Sequence, residues 1–223
     1  PLNLPALNLL RSRRVILASA SPRRRALLAQ IGLTNIEVIP SSFPETLDKS
    51  KYTPFEYVSE TAHGKCQEVY IRELDNKEKG EPGVVIAADT VIVDKDGRVL
   101  EKPKSREDHL GMLKALRDCG GHQVLTAIVA MAPREDCVHP GYTLASHVEE
   151  TLVKFDQLVT DDLIESYVNT REGVDKAGGY AIQGLGSILI ERIEGSYDNV
   201  VGLPLRATLR VIEKVMHGGD EDE

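Results

Sequence analysis

The chain has 223 residues, 41% of them apolar, which is enough to bury the core of one large domain or of one domain with two lobes. No run of residues approaches the roughly 20 apolar residues that a membrane-spanning helix needs, so we expect no membrane partner. The formal net charge of −8 argues against a general nucleic-acid-binding surface.

The two ends of the chain differ from the rest. Residues 1–13 read as an N-terminal extension, and the segment from Leu2 to Arg14 is rich in arginine and free of acidic residues, as transit peptides are, but lacks their serine content. Residues 217–223 predict a solvated acidic tail. The cysteines Cys66, Cys119 and Cys137 have no metal-like spacing, which predicts reduced thiols and a cytoplasmic protein.

The hydrophobic pattern predicts alternating strands and helices early in the chain and clustered strands later. The early elements are a strand over 15–18, a helix over 23–31, a strand over 36–39, a helix over 54–72 and a strand over 84–88. The later ones are a hairpin over 91–100, a helix over 105–117, strands over 122–131 and 146–155, a helix over 160–169, a strand over 187–193 and a helix from Pro204. This order predicts a mixed-sheet α/β fold in a single domain over 14–216.

A basic turn, Ser19 to Arg25, follows the first predicted strand. Ligands of α/β proteins bind past the carboxyl ends of strands, and a helix N-terminus at that place favours an anion. Two serine hydroxyls and three arginines add donors, and arginine binds phosphate through two parallel hydrogen bonds. The turn therefore predicts a phosphate site, with a solvated basic helix start as the alternative.

Two acidic residues are candidate metal ligands. Asp89 follows the apolar segment 84–88, where a carboxylate must be paired, hydrogen-bonded or metal-bound, because burying it alone is costly. Glu45 lies in a polar loop and by itself would be interpreted as solvent-exposed. Together they predict a site for a hard cation such as Mg²⁺, with Mn²⁺ as a substitute, while a purely structural Asp89 is the alternative.

Two lysines and one loop complete the set of candidates. Lys65 falls in an apolar helical stripe, so it either lies along the edge of the core or points its ammonium group into a cleft. Lys102 precedes Pro103, where an ordinary surface turn is the alternative. In the glycine-rich loop 175–186, which permits close backbone approach, Gln183 offers a donor and an acceptor to the edge of a base.

These segments, in this order, resemble the signatures of the Maf family of nucleoside triphosphate pyrophosphatases. The similarity runs from about Arg14 to Val215 and rests on 17–24, Glu45, Ala62 with Lys65, 88–90, 101–103, 175–186 and 200–205. One departure is Gly64, inside the predicted helix, where a good helix former is usual and glycine costs about 1 kcal/mol.

The resemblance implies an elongated α/β fold of the Maf and ITPase type, with two lobes around a deep cleft, in a protein that is often a homodimer. It implies hydrolysis of a nucleoside triphosphate to its monophosphate and pyrophosphate with a divalent metal. Asp89 matches the family's proton acceptor by position. The phosphate- and metal-site positions of the family correspond to Ser19, Arg24, Glu45, Lys65 and Lys102.

Three further positions separate the subfamilies, and here they are Arg23, Thr90 and Gln183, a set similar to the dTTP/UTP-cleaving branch. We therefore expect hydrolysis of dTTP and UTP, or of modified pyrimidine triphosphates, which keeps aberrant nucleotides out of nucleic acids. The alternative is a non-catalytic nucleotide-binding regulator of cell division. The acidic net charge argues against a nucleic-acid partner, and the retained Asp89, Lys65 and Lys102 argue against an inactive protein.

Overall fold

The computed structural model describes residues 2–44, 47–134 and 139–217. Residues 218–223 of the predicted acidic tail, Glu45 and Cys137 lie outside the described residues. Within them the helices are α1 Pro5–Leu10, α2 Pro22–Gln30, α3 Pro54–Leu74, α4 Arg106–Asp118, α5 Asp161–Asn169, α6 Tyr197–Val201 and α7 Leu205–Met216. The strands are β1 Val15–Leu17, β2 Ile36–Val38, β3 Val84–Val93, β4 Val99–Leu100, β5 His122–Pro133, β6 Tyr142–Phe155 and β7 Ile190–Glu194.

The strands form one sheet with the order β2-β1-β3-β5-β6-β7, and β4 pairs with β3. β1 is parallel to both of its neighbours, with Leu17 opposite Val38 in β2 and Ile86 in β3. β4 runs antiparallel to β3, and β7 runs antiparallel to β6. Parallel strands joined by helices and antiparallel strands therefore share one sheet, which confirms the predicted mixed α/β fold.

The chain divides into two compact units. The first unit comprises residues 1–89, 127–148 and 202–223, and the second comprises residues 90–126 and 149–201. Three of the boundaries between the units fall within β3, β5 and β6. No helix in the described residues is both long enough and apolar enough to cross a membrane.

The first unit contains α3 and α7 together with the buried parallel strand β1. All three residues of β1 are buried, as is typical of an inner strand of a parallel sheet. α3 begins at a capping box in which Thr53 and Glu56 satisfy each other's backbone N–H groups, and Pro54 occupies the first turn. The predicted apolar stripe of α3 is buried, with Val58, Ala62 and Val69 all at 0% exposure.

The second unit has its own core, built from α4, α5 and the strand ends that surround them. Leu113, Leu116 and Ile164 are among its fully buried side chains. His122 and Tyr180 belong to the same interior, where the imidazole Nε2 lies 2.7 Å from the tyrosine hydroxyl. Burial lowers the pKa of His122 to about 4, so this imidazole is neutral near pH 7.

Three predicted boundaries are wrong, one of them the start of β6, which lies at Tyr142 and not at Ser146. β3 does not end at Ala88 but continues through Asp89 and Thr90 to Val93, because the β-branched residues that follow keep the chain extended and pair with β4. The segment from Ser187 to Leu189 is not a strand but part of a 3-10 helix over Leu185–Leu189. The carboxylate of Glu172 accepts hydrogen bonds from the first two backbone N–H groups of that helix, so these groups do not pair with a neighbouring strand.

Two short helices were not predicted. α1 and α6 have six and five residues, too few to display a helical hydrophobic period. α1 lies within the segment interpreted as an N-terminal extension, yet Leu7 and Leu10 are fully buried. The side-chain amide of Asn35 also binds backbone carbonyls of residues 10, 11 and 13. The start of the described chain is therefore part of the first unit's packing.

Candidate active site

The centre of the candidate site is an ion pair in the first unit. The Nζ atom of Lys65 lies 2.8 Å from Oδ1 of Asp89, and the two side chains are 11% and 13% exposed. Among the described residues, Oδ2 of Asp89 has no hydrogen-bond partner. The pair therefore fixes one carboxylate oxygen and leaves the other for a proton, a water molecule or a cation.

Lys65 is directed at β3 by its neighbour on α3. The thiol of Cys66 is fully buried and donates to the carbonyl of Val85 at 3.4 Å, while the carbonyl of Val129 lies 3.7 Å away. Burial raises the pKa of this thiol, which keeps it in the protonated, donating form. The sequence indicated only that Cys66 is a reduced thiol, and its role in seating α3 on the strands was not foreseen.

The loop before Glu45 is attached to the same helix. Ser41 donates its hydroxyl to Glu68 at 2.7 Å, and the backbone N–H of Ser42 donates to the same carboxylate at 3.0 Å. The ring of Phe43 lies directly on Gly64, so that a Cβ atom at residue 64 would come within 2.7 Å of three ring carbons. This close approach explains the glycine beside Lys65 that the family resemblance left unexplained.

The basic turn is ordered by its own serines. Ser21 caps α2 by accepting from the backbone N–H of Arg24. The guanidinium group of Arg24 donates to Oγ of Ser19 at 3.1 Å and to the carbonyl of Gly202 at 2.9 Å. Arg23 is half-buried and Arg25 is exposed. The turn thus holds the guanidinium group of Arg24 in one orientation.

The register of the parallel strands relates this turn to Asp89. Leu17 pairs with Ile86, and the N–H of Ala18 donates to the carbonyl of Ile86 at 2.8 Å. Ser19 therefore leaves β1 beside the part of β3 that leads to Asp89, although β3 itself continues. We therefore still expect Ser19 and Arg24 to lie near Asp89, although β3 does not end at Ala88.

Asp89 and Thr90 leave β3 on opposite faces, because successive side chains of a strand alternate. Asp89 meets Lys65, whereas the hydroxyl of Thr90 lies 2.9 Å from the hydroxyl of Thr126 in β5. Thr126 is fully buried and belongs, like Thr90, to the second unit. No sequence pattern had singled out Thr126, because a threonine within an apolar strand is an ordinary core residue.

The segments that carry the predicted residues Lys102 and Gln183 adjoin each other in the second unit. Lys102 is exposed, and its neighbour Glu101 accepts at its carbonyl from the N–H of Gly178 at 3.2 Å. The glycine-rich loop is fixed here by His109, whose Nε2 lies 2.6 Å from the carbonyl of Gly179. Gly179 has φ of +76°, and a Cβ there would meet the imidazole, so both the backbone and the contact require glycine.

Gln183 is exposed at the tip of a loop that is held on both sides. Before it, the N–H of Ala181 donates to the hydroxyl of Tyr167 at 3.2 Å. After it, the N–H groups of Leu185 and Gly186 donate to the Glu172 carboxylate at 2.8 and 2.9 Å. Burial by itself raises the pKa of Glu172, but the two backbone bonds together with the Tyr167 hydroxyl and the charge of Lys176 more than offset it, so that the pKa is lowered. We call these bonds of Tyr167 and Glu172 the clamp, and they give the backbone on both sides of Gln183 a defined position.

The donor set of the first unit suits a hard cation such as Mg²⁺. No group of three or more His, Cys, Asp or Glu residues that could hold a metal occurs within residues 2–44, 47–134 and 139–217. Mg²⁺ needs only one or two protein carboxylates, because water and substrate phosphates complete its shell. Asp89 would supply one such carboxylate through Oδ2, so its chemistry fits a metal that binds together with its substrate.

A family model described as Maf-like protein matches residues 14–215. The chain belongs to the Maf family. The dTTP/UTP pyrophosphatase of Schizosaccharomyces pombe is 48% identical to it over 215 residues, which cover 96% of this chain and 88% of that protein. The dTTP/UTP pyrophosphatase of Clostridium perfringens strain SM101 is 41% identical over 200 residues, covering 90% of this chain and 96% of that protein. The predicted Maf membership is confirmed.

A solved HAM1 protein from Coxiella burnetii aligns with 92% of this chain and 98% of its own, at 14% identity and a TM-score of 0.42, a likeness too weak to add to the fold described above. Membership of the Maf family is consistent with dependence on a divalent metal in general and does not specify the ion.

Proposed function

We propose that this chain hydrolyses dTTP and UTP to the nucleoside monophosphate and pyrophosphate. The observation that supports the proposal most strongly is the largely buried Lys65–Asp89 pair, which combines a base with a fixed cation in a Maf chain. The Maf relatives from Schizosaccharomyces pombe and Clostridium perfringens are named dTTP/UTP pyrophosphatases. The proposed specificity for dTTP and UTP therefore rests on the similarity of this chain to those relatives.

In the proposed mechanism Asp89 orients a water molecule and accepts its proton through one lone pair of Oδ2, and the second lone pair of that oxygen is left for the proposed cation. The resulting oxygen nucleophile attacks the α-phosphorus, the bond from that phosphorus to the bridging oxygen breaks, and pyrophosphate leaves. Lys65 holds Oδ1 and supplies positive charge beside the triphosphate. General-base catalysis of this kind contributes about 10²- to 10⁴-fold to the rate.

Ser19, Arg24 and Lys102 are proposed to bind the phosphates. Arg24 is supported by the two hydrogen bonds that orient its guanidinium group, because an oriented guanidinium loses less entropy when it binds an anion. Arg23, Thr90 and Gln183 are proposed to select the base, with support from the clamp that defines the position of Gln183.

We propose Glu45 and Asp89 as the protein ligands of a divalent cation, Mg²⁺ or in its place Mn²⁺. Such an ion supplies Lewis-acid stabilisation of the charge that develops on the leaving oxygens. Glu45 lies outside the described residues, and the support for it is that the described residues before it, Ser41 to Phe43, are attached to the helix of Lys65.

The test is hydrolysis of a panel of dTTP, UTP, CTP and GTP with Mg²⁺ in H₂¹⁸O. We expect turnover of dTTP and UTP above CTP and GTP, with pyrophosphate as the product and the ¹⁸O in the monophosphate, because water attacks the α-phosphorus. Label in pyrophosphate, or release of inorganic phosphate from the substrate, would contradict the proposed reaction.

Asp89→Asn tests the proposed base, with Asp96→Asn as the matched control on an exposed residue. We expect Asp89→Asn to lower kcat by at least about 100-fold and Asp96→Asn to leave it unchanged. Wild-type pyrophosphate release by Asp89→Asn would overturn the assignment. The alternative of a non-catalytic regulator becomes the better explanation only if nucleotide binds without any pyrophosphate release, and the names of the relatives give that alternative no support.

Action on modified pyrimidine triphosphates, a homodimer and a cytoplasmic location stay predictions. The reduced state of Cys66 and Cys119, both free thiols, is consistent with the cytoplasm. Relative kcat/KM values for UTP and a 5-substituted UTP, together with light scattering of the pure protein, test the first two predictions.

A further inference from the structure

A chain of hydrogen bonds runs inward from Thr90 in the second unit. The Oγ1 atoms of Thr90 and Thr126 are 2.9 Å apart. The hydroxyl of Thr126 also donates to the backbone carbonyl of Asn199 at 3.3 Å. Thr90 is a half-buried residue and Thr126 is fully buried, so the chain of hydrogen bonds runs from a partly exposed residue into the interior.

The inner end of this chain is rigidly held. The side-chain amide of Asn199 donates to the carbonyl of Val124 and to the hydroxyl of Thr151, both at 3.0 Å. Thr151 in turn donates to the carbonyl of Ser196, just before α6. The backbone carbonyl of Asn199 is therefore fixed in place, and a carbonyl oxygen can only accept a hydrogen bond.

The direction of each hydrogen bond follows from counting protons. A threonine hydroxyl has one proton to donate and two lone pairs that accept. Thr126 uses its proton on the Asn199 carbonyl, so the proton between the two threonines must come from Thr90. The hydroxyl of Thr90 therefore meets any further ligand as an acceptor.

We propose that Thr126 is a positioning residue that makes Thr90 an acceptor for the N3–H of thymine and uracil, and so rejects cytosine. This inference rests on the proposed role of Thr90 in base selection. Thymine and uracil carry a donor at N3, whereas cytosine carries a lone pair there. Cytosine in the same pose would place two acceptors against each other, and leaving a polar group of the site unpaired is what gives enzymes strong discrimination.

The test compares Thr126→Val, which removes the hydroxyl with little change of shape, with Thr126→Ser, which retains it. In Thr126→Val the Thr90 proton is released and can be donated to N3 of cytosine. We expect the ratio of kcat/KM for UTP to that for CTP to fall about tenfold, mostly through KM, and the ratio in Thr126→Ser to stay within about twofold of wild type. An unchanged ratio in Thr126→Val, or an equal fall in both variants, overturns the inference.

A double-mutant cycle with Thr90→Val tests whether Thr126 acts through Thr90. We expect Thr126→Val to change the ratio in the wild-type background and not in the Thr90→Val background, whereas independent, additive effects overturn the inference. Thr126→Ala serves in the same cycle if Thr126→Val does not fold, as judged by thermal unfolding. A wild-type protein that cleaves neither dTTP nor UTP instead contradicts the proposed function, so the two failures are distinguishable.

Discussion

The ammonium nitrogen of Lys65 lies 2.8 Å from a carboxylate oxygen of Asp89, and about nine-tenths of each side chain is shielded from water. The two residues are 24 positions apart in the sequence and come from a helix and a strand of the same unit. A pair that is shielded to this degree is difficult to break on one side, because the remaining charge loses its partner.

Replacing Lys65 separates this pair. Lys65→Met leaves Asp89 without its cation, and we expect kcat for UTP to fall about 100-fold or more, with Lys65→Arg retaining part of the activity. Steady-state pyrophosphate release measures this effect. Lys77→Met, on an exposed lysine, is the matched control and should behave as wild type. Equal activities of Lys65→Met and Lys77→Met would remove Lys65 from the mechanism.

Glu172→Gln weakens the clamp that positions Gln183. The glutamine amide keeps one acceptor but turns its NH₂ group toward a backbone N–H, so one of the two bonds to Leu185 and Gly186 is lost. We expect KM for UTP to rise about tenfold with a smaller change in kcat, and faster hydrogen exchange at these two amides. Glu60→Gln is the exposed control. Unchanged exchange in Glu172→Gln would show that the carboxylate is not what orders the loop.

Acidification should destabilise the protein through His122. Its pKa is lowered to about 4 by burial, against about 6.5 in the unfolded chain, so the unfolded state binds the proton first as pH falls. This contribution to stability is complete above about pH 6.5 and is lost between there and pH 4. Between pH 7 and pH 5 it amounts to about 2 kcal/mol of the free energy of unfolding.

Urea unfolding at several pH values measures that loss. In His122→Gln we expect a smaller decline between pH 7 and pH 5 than in the wild type, while His217→Gln, at an exposed histidine, keeps the wild-type decline. Parallel declines for all three proteins would assign the effect to other groups.

Gly64→Ala should destabilise the protein although alanine is the better helix former. The propensity gain of about 1 kcal/mol is outweighed by the clash with the Phe43 ring, since overpacking typically costs about 1–3 kcal/mol. Gly111→Ala on α4, where a Cβ meets nothing within 4 Å, is the matched control and should be stabilising. Thermal unfolding of the two variants should therefore shift in opposite directions, and a stable Gly64→Ala would show that Phe43 can move aside.

Removal of divalent cations should abolish turnover without unfolding the chain. The proposed ligands are Glu45 and one oxygen of Asp89, and the buried cores of both units are built without any metal cluster in the described residues. We expect EDTA to stop pyrophosphate release, Mg²⁺ to restore it, and the midpoint of thermal unfolding to change by no more than a few degrees. Full activity in EDTA would contradict the proposed metal.

Periodicity and capping signals were enough to predict most elements of the fold. The helix starts predicted at Pro54, Ser105 and Thr160 agree to within one residue with the starts of α3, α4 and α5, whose side-chain caps are Thr53, Ser105 and Thr160. The end of β3 was predicted wrongly because Asp89 and Thr90 interrupt the apolar pattern without interrupting the strand. The 3-10 helix over Leu185–Leu189 depends on Glu172, a partner 13 residues distant that local pattern cannot reveal.

The sequence by itself determined the Maf family, the mixed α/β fold and the identity of the candidate residues, because these depend on residue type and spacing along the chain. Only the tertiary structure decided which of those residues meet. It paired Lys65 with Asp89, placed Phe43 against Gly64, and linked Thr90 to the buried Thr126. The physical reason is that hydrogen-bond partners and close packing are set by strand register and by the helix face that packs on the sheet, which bring distant residues within a few ångströms.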